Sequence, residues 1–188
     1  EQQDFFNAVK DPDGDYRAGS ALVANSHDFK TPCNMTIADS KPESKFIRLL
    51  CERENAQSLY GWLKSSPQRF YAIEYAWKKG EHPKRGDFSP DFFIRKGHTV
   101  YVVEIKDDSE IDDPSPENQK KFEYARDHFD RLNDWLKKAG IDIAYQLNFL
   151  APKDYNRFFI KLRRDDARDF RSELDIVLGH SENGNQSG

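Results

Sequence analysis

The sequence predicts an α/β fold in the order α-β-β-β-α-β, a small mixed central sheet flanked by helices. The first sign is the run His98-Thr-Val-Tyr-Val-Val-Glu-Ile-Lys106, apolar on both faces until its C-terminal end, as in a central strand covered on each side. The second is Pro116 to Ala139, where Phe122, Ala125, Phe129, Leu132, Trp135 and Leu136 recur at helical spacing and Gly140 provides a stop. The third is an earlier helix start at Ser40, with Pro42 in the first turn and Glu43 placed as in a capping box.

In chain order, residues 1–39 are polar and turn-rich, with a short helix expected around Phe5 to Val9, and read as a connector. A helix is expected from Pro42 to about Lys64, its apolar face formed by Phe46, Ile47, Leu49 and Leu50 and continued by Leu59, Trp62 and Leu63. Phe70 to Trp77 reads as a strand, with Tyr71, Ile73, Tyr75 and Trp77 on one face and Glu74 on the other. Glu74 is either a further acid near a site or a surface partner for lysine. Lys78-Lys-Gly-Glu-His-Pro-Lys84-Arg85-Gly86 carries the Gly and Pro residues of a loop. Phe88 to Arg95 and His98 to Lys106 then form an antiparallel hairpin turned at Lys96-Gly97. Ile141 to Leu150 is a last strand, so the core spans residues 40–152. Beyond Pro152, Phe158, Phe159, Leu162, Phe170, Leu174 and Val177 indicate an appended helical element over 153–180, followed by a disordered polar tail at 181–188.

Charge appears in this hairpin where hydrocarbon is expected. Pro90-Asp91 opens one apolar strand and Glu104-Ile105-Lys106 closes the next. Alternation points Glu104 and Lys106 to the same face. Antiparallel pairing brings Asp91, early on one strand, beside Glu104, late on its partner. Asp91 and Glu104 can then share a divalent cation, with Lys106 beside a water on it, which is the minimal equipment for hydrolysing a phosphodiester. The Ile105 carbonyl adds a third oxygen. A carboxylate-rich site without soft ligands suits Mg²⁺, with Mn²⁺ as a substitute, rather than zinc. Glu43 either caps its own helix or faces the sheet as a further metal ligand.

The balance of charge is −4, against strong standalone nucleic-acid binding, although local lysines and arginines supply most affinity for a phosphate backbone. Lys78, Lys79, Lys84 and Arg85 precede the Pro-Asp strand and form the best candidate phosphate-tracking segment. Lys120 and Lys121 open the long helix as further candidate contacts, with Asn118 and Gln119 beside them. His128, on the buried face of that helix, is either a satisfied core histidine or a residue that orients the site. With 188 residues, 37% hydrophobic, the chain has material for one core. Cys33 and Cys51 have no metal-ligand spacing and suggest a reducing cytoplasm. No apolar run reaches membrane length and no signal peptide opens the chain. Because it begins at Glu1, it is expected to be part of a larger protein.

Glu43 on a helix, Pro90-Asp91, Glu104-Ile105-Lys106 and the helix that follows resemble the PD-(D/E)xK nucleases, which have a restriction-endonuclease-like fold. The Ser40-x-x-Glu43-x-x-Phe46 helix start, the basic segment, the Val102-x-Glu104-x-Lys106 strand and Ala125-Arg-Asp-His128-Phe129 are similar to the C-terminal endonuclease domain of type III restriction enzyme Res subunits and related helicase–nuclease fusions. The resemblance covers about residues 40 to 152. The chain departs from it in the acidic run Asp107, Asp108, Glu110, Asp112, Asp113. It also departs in the Gln119–Tyr124 spacing, one residue longer than the Gln-x-x-x-Tyr of exonuclease-like relatives. The resemblance implies a magnesium-dependent deoxyribonuclease with Asp91, Glu104, Lys106 and Glu43 as its catalytic residues. Its implied partners are DNA, a helicase or ATPase region of the same parent chain and a methyltransferase-type specificity subunit. The alternatives are a catalytically silent nuclease-like domain that binds DNA or a partner, and a structure-selective nuclease such as a junction resolvase.

Overall fold

The computed structural model describes residues 21–24, 30–31, 35–65, 70–79 and 82–180. The expected helix at Phe5 to Val9, Cys33 and the tail at 181–188 lie outside them. Part of the segment read as a connector is folded: β1 (Ala21–Ala24) pairs antiparallel with β2 (Met35–Ala38). Lys30 lies alongside the core, its carbonyl accepting from Trp62 N at 2.7 Å and its ammonium donating to Leu59 O at 2.9 Å.

Helix α1 (Lys41–Cys51) begins as its sequence dictates: the Ser40 hydroxyl accepts from Glu43 N at 3.2 Å and Pro42 occupies the first turn. It does not continue to Lys64. After a break at Glu52 and the short α2 (Arg53–Ser58), the chain extends into β3 (Gly61–Lys64), paired antiparallel with β6 (Phe92–Lys96). Leu59 and Trp62 are buried as expected, but from a turn and a strand. A short Trp-Leu run fits either periodicity, and pairing with β6 decides for strand.

The expected strand Phe70 to Trp77 is displaced to β4 (Ile73–Lys79). The basic segment expected as a loop is instead half of a hairpin, β4 pairing with β5 (His82–Phe88) from Ile73↔Phe88 to Lys79↔His82. Both strands of a two-stranded ribbon are edges, so Pro83 is tolerated without an N–H. Gly86 lies under the Tyr75 ring, whose atoms would stand 3.1–3.2 Å from a β-carbon there.

β5 ends at Phe88, and Pro90-Asp91 connects to β6 rather than lying within one long strand. Gly97, at φ +56°, turns β6 into β7 (Thr99–Ile105). After α3 (Ser109–Asp112) and α4 (Pro116–Lys138), β8 pairs parallel to β7; it covers Ala144–Leu150 rather than starting at Ile141. The main sheet has the order β3-β6-β7-β8, and together with α1 and α4 its strands run α-β-β-β-α-β along the chain. The expected order is present, but β3, not the Phe70–Trp77 segment, is its first strand. The fold is a small mixed sheet flanked by helices.

β7 separates two apolar layers. Tyr101, Val103 and Ile105 face a cluster built by Phe46, Phe92, Ile94 and Tyr155. Val102 faces the opposite cluster, which contains Phe122, Ala125 and Phe129 of α4. The helices beyond Pro152 are integral to both layers rather than appended. Phe158, Phe159 and Leu162 of α5 (Tyr155–Arg163) join the first, and Leu174 and Leu178 of α6 (Glu173–His180) join the second. Phe46 is fully buried, with the rings of Phe92, Tyr155 and Phe159 centred 5.1–5.2 Å away. Phe46→Ala is therefore expected to cost about 3–5 kcal/mol in urea unfolding, with the Phe158 and Phe159 helix loosened along with α1.

Candidate active site

One edge of the main sheet gathers the chemistry. β3, β7 and β8 all run toward this edge, and β6 starts from it, so Lys64, Asp91, Glu104 and Lys106 arrive together. The register Phe92↔Val103 sets Asp91 across from Glu104. Asp91 Oδ2 accepts from Ile105 N at 2.7 Å, and Lys106 N continues the ladder to Leu150 O at 2.9 Å. The Asp91 carbonyl accepts from Ser65 N at 2.8 Å, and the Pro90 carbonyl accepts from the Ser65 hydroxyl, so the Pro-Asp segment is held from both sides.

Lys106 Nζ lies 2.6 Å from Glu104 Oε1. Glu104 is only 5% exposed, and its second oxygen, Oε2, is buried with no hydrogen-bond partner. A buried carboxylate oxygen in that condition is costly unless a donor or a cation reaches it. Ser89 Oγ, just before Pro90-Asp91, is likewise buried and unpartnered. Burial together with the charges of Glu104 and Glu43 pushes the Asp91 carboxyl well above its ordinary range, against the pull of the Ile105 N–H and Lys106. For Lys106, burial favours the neutral amine, but Glu104, Asp91 and Glu110 outweigh it and raise its pKa. The lysine is an ammonium at neutral pH.

Glu43 is near enough to act on Asp91 but is committed elsewhere. Its Oε2 lies 3.0 Å from Lys64 Nζ and accepts from Asp39 N at 3.1 Å. Lys64 also reaches Asp39 Oδ2 at 2.8 Å and has a side chain only 8% exposed. The Asp39 N–H and the ion pair with Lys64 account for Glu43 Oε2 without a metal. Among the described residues, no three His, Cys, Asp or Glu side chains stand together in a metal-binding group. The carboxylates left beside one another for an ion are Asp91 and Glu104, the latter with its unpartnered Oε2. Two carboxylates with retained waters fit Mg²⁺, which seldom takes an all-protein cage.

The remaining candidates divide. Lys78, Lys84 and Arg85 are exposed on the hairpin, and the Lys79 side chain lies outside the described residues. Lys120 is paired with Glu123, and Lys121 with Glu117 at 2.9 Å. Glu117 also accepts from Tyr75 OH at 2.8 Å, so this helix start anchors the hairpin. Gln119 donates to Pro114 O at 3.0 Å, and Asn118 is buried beneath the Ser115 cap. His128 is half-buried, contacts Tyr71 OH at 2.5 Å and lies edge-on against Tyr71 and Phe129, so its ring nitrogen has a partner away from Asp91 and Glu104. Glu74 is exposed and lines a separate cleft with Arg85, Asp87 and Tyr124. Sequence reasoning missed Lys64 and Tyr155. The buried Tyr155 phenol donates to Pro42 O at 3.1 Å, and its pKa is raised by burial and by Asp91, Asp108, Glu43 and Asp107. Reading Gly61–Lys64 as a strand would have brought Lys64 to this edge.

The chain matches no family model, no curated protein and no solved structure, so its own geometry and chemistry carry the functional reading. No helix among the described residues is long and apolar enough to cross a membrane.

Because the fold holds a proton on Asp91 more tightly than an unfolded chain does, the folded state binds more protons. Without metal, stability therefore falls as pH rises from the ordinary carboxylate range through the raised Asp91 value. Asp91→Asn removes the repulsion while its amide oxygen still accepts from Ile105 N. Metal-free, it is expected to melt higher than the wild type at neutral pH, on the order of 3 °C, with the difference vanishing in acid. Scanning calorimetry at two pH values measures both effects.

Proposed function

We propose that this chain is a Mg²⁺-dependent DNA endonuclease domain of the PD-(D/E)xK, restriction-endonuclease-like class, part of a larger ATP-dependent restriction or helicase–nuclease protein. The observation that carries the reading is the partnerless Glu104 Oε2, buried beside Asp91 and Lys106 where three strands end. Asp91, Glu104 and the Ile105 carbonyl would hold the ion, with Mn²⁺ as a substitute, and it would supply a water of lowered pKa and positive charge beside the scissile phosphate.

Lys106 works as a donor and a positive charge, not as a base, since its acidic neighbours keep it protonated. Its ammonium orients the attacking water and faces the phosphate. Glu104 fixes the lysine through one oxygen and leaves the other for the ion. The exposed Lys78, Lys84 and Arg85 track the phosphate backbone, with Lys79 beside them in sequence. Lys120 and Lys121, paired with Glu123 and Glu117, contribute less. A net charge of −4 gives a weak intrinsic grip, suited to a domain delivered to DNA by a motor and directed by a separate specificity subunit.

A second reading, a catalytically silent domain that binds DNA or a partner, is favoured by the acids close to Lys106. The charge of Glu110 reaches the lysine through space, and Asp107 and Asp108 follow it in the chain. Calorimetry with Mn²⁺ separates the two, since a silent domain has no use for an ion at Asp91 and Glu104.

Lys106→Ala and Asp91→Ala are each expected to lower Mg²⁺-dependent cleavage of plasmid DNA by about 100-fold or more, with circular dichroism unchanged. Full activity in either variant sinks the nuclease reading.

A further inference from the structure

We infer that Lys64 acts as a built-in cation in place of a second metal ion, so that the site takes a single divalent ion. The inference rests on the nuclease reading above and deepens it. Asp91 and Glu104 end adjacent strands at this edge of the sheet, and Glu43 approaches it from α1 through Lys64. A pair of divalent ions is one way to compensate such a cluster. The fold supplies another. Lys64 is the last residue of β3, in register with Phe92, which places it next to the Pro-Asp segment. Its ammonium is 3.0 Å from Glu43 and 2.8 Å from Asp39.

The Glu43 side of that contact is enclosed, whereas Asp39 is open to solvent. The side chain of Lys64 is 8% exposed and that of Glu43 9%, and the ammonium lies 5.9 Å from the centre of the Phe92 ring. Burial alone favours the neutral amine, but Asp39 and Glu43 outweigh it and keep the lysine charged. A nearly buried ion pair is hard to break from one side, because removing either partner strands the other charge. Glu43 Oε2 is further fixed by the Asp39 N–H, so the carboxylate is held toward Lys64. The asymmetry with Glu104 is the telling feature. Both glutamates hold a lysine, but only Glu104 has a buried oxygen left without a partner.

Mn²⁺ titration calorimetry on the intact chain tests the inference, with thermal melts to check folding. The wild type is expected to bind one ion. Glu104→Gln should weaken that ion by more than tenfold, as loss of a ligand does, whereas Glu43→Gln should weaken it by no more than about threefold through loss of a nearby charge. Lys64→Met, which frees Glu43 and Asp39, should bind a second ion, and Lys64→Arg should still bind one. Two ions on the wild type, a tenfold or greater loss in Glu43→Gln, or a single ion on folded Lys64→Met overturns the inference alone. Should Lys64→Met fail to fold, the Glu43→Gln and Lys64→Arg titrations decide it. No ion on the folded wild type overturns the nuclease reading and this inference with it.

Discussion

The register of β6 against β7 is the constraint on which the rest depends. With Phe92 opposite Val103, Asp91 meets the end of β7 and its carboxylate takes the Ile105 N–H. A slip of one residue would exchange the faces of Phe92, Phe93 and Ile94 and move Asp91 away from Glu104. That register is secured by hydrocarbon on both sides. Phe92 and Ile94 enter one apolar layer, and Phe93 packs against the other. The polar edge is thus positioned by the apolar interior, and its charges contribute little to choosing the fold.

The edge itself is held under electrostatic tension. Asp91 and Glu104 meet here with Glu43 close by, and two half-buried lysines each hold one glutamate, Lys106 on Glu104 and Lys64 on Glu43. Asp91 has a backbone N–H but no lysine within ion-pair distance among the described residues. Burial of polar groups to this extent gains little stability and is more usual where a ligand or a reaction needs it. The arrangement separates two roles that look alike in sequence. One Glu–Lys pair leaves an acid oxygen unused, and the other closes on itself with help from Asp39.

Much of this edge was legible from residues alone. Glu104 and Lys106 share a face because strand alternation requires it, and Asp91 joins them because a hairpin with Gly97 at its turn has few registers to choose from. The Ser40 cap, the long helix to Lys138 and the buried Phe122, Ala125 and Phe129 also follow from local periodicity. Other parts did not follow, each for a particular reason. Leu59, Trp62 and Leu63 continue a helical stripe on paper, but hydrogen bonds with β6 turn Gly61–Lys64 into a strand. Gly and Pro mark loops in isolation, yet β4 and β5 pair through Pro83 and Gly86 because a ribbon edge and an overlying Tyr75 accommodate them.

The sequence by itself determined the α-β-β-β-α-β order, the central place of β7 and the meeting of Asp91, Glu104 and Lys106, because each depends on local pattern and on short-range pairing. Only the tertiary structure decided which strand comes first, that the C-terminal helices complete both apolar layers, and that Glu43 faces Lys64. Those outcomes join residues far apart in the chain, such as Phe46 with Phe159 and Glu43 with Lys64. No periodicity records them, since they exist only once separate elements share one interior.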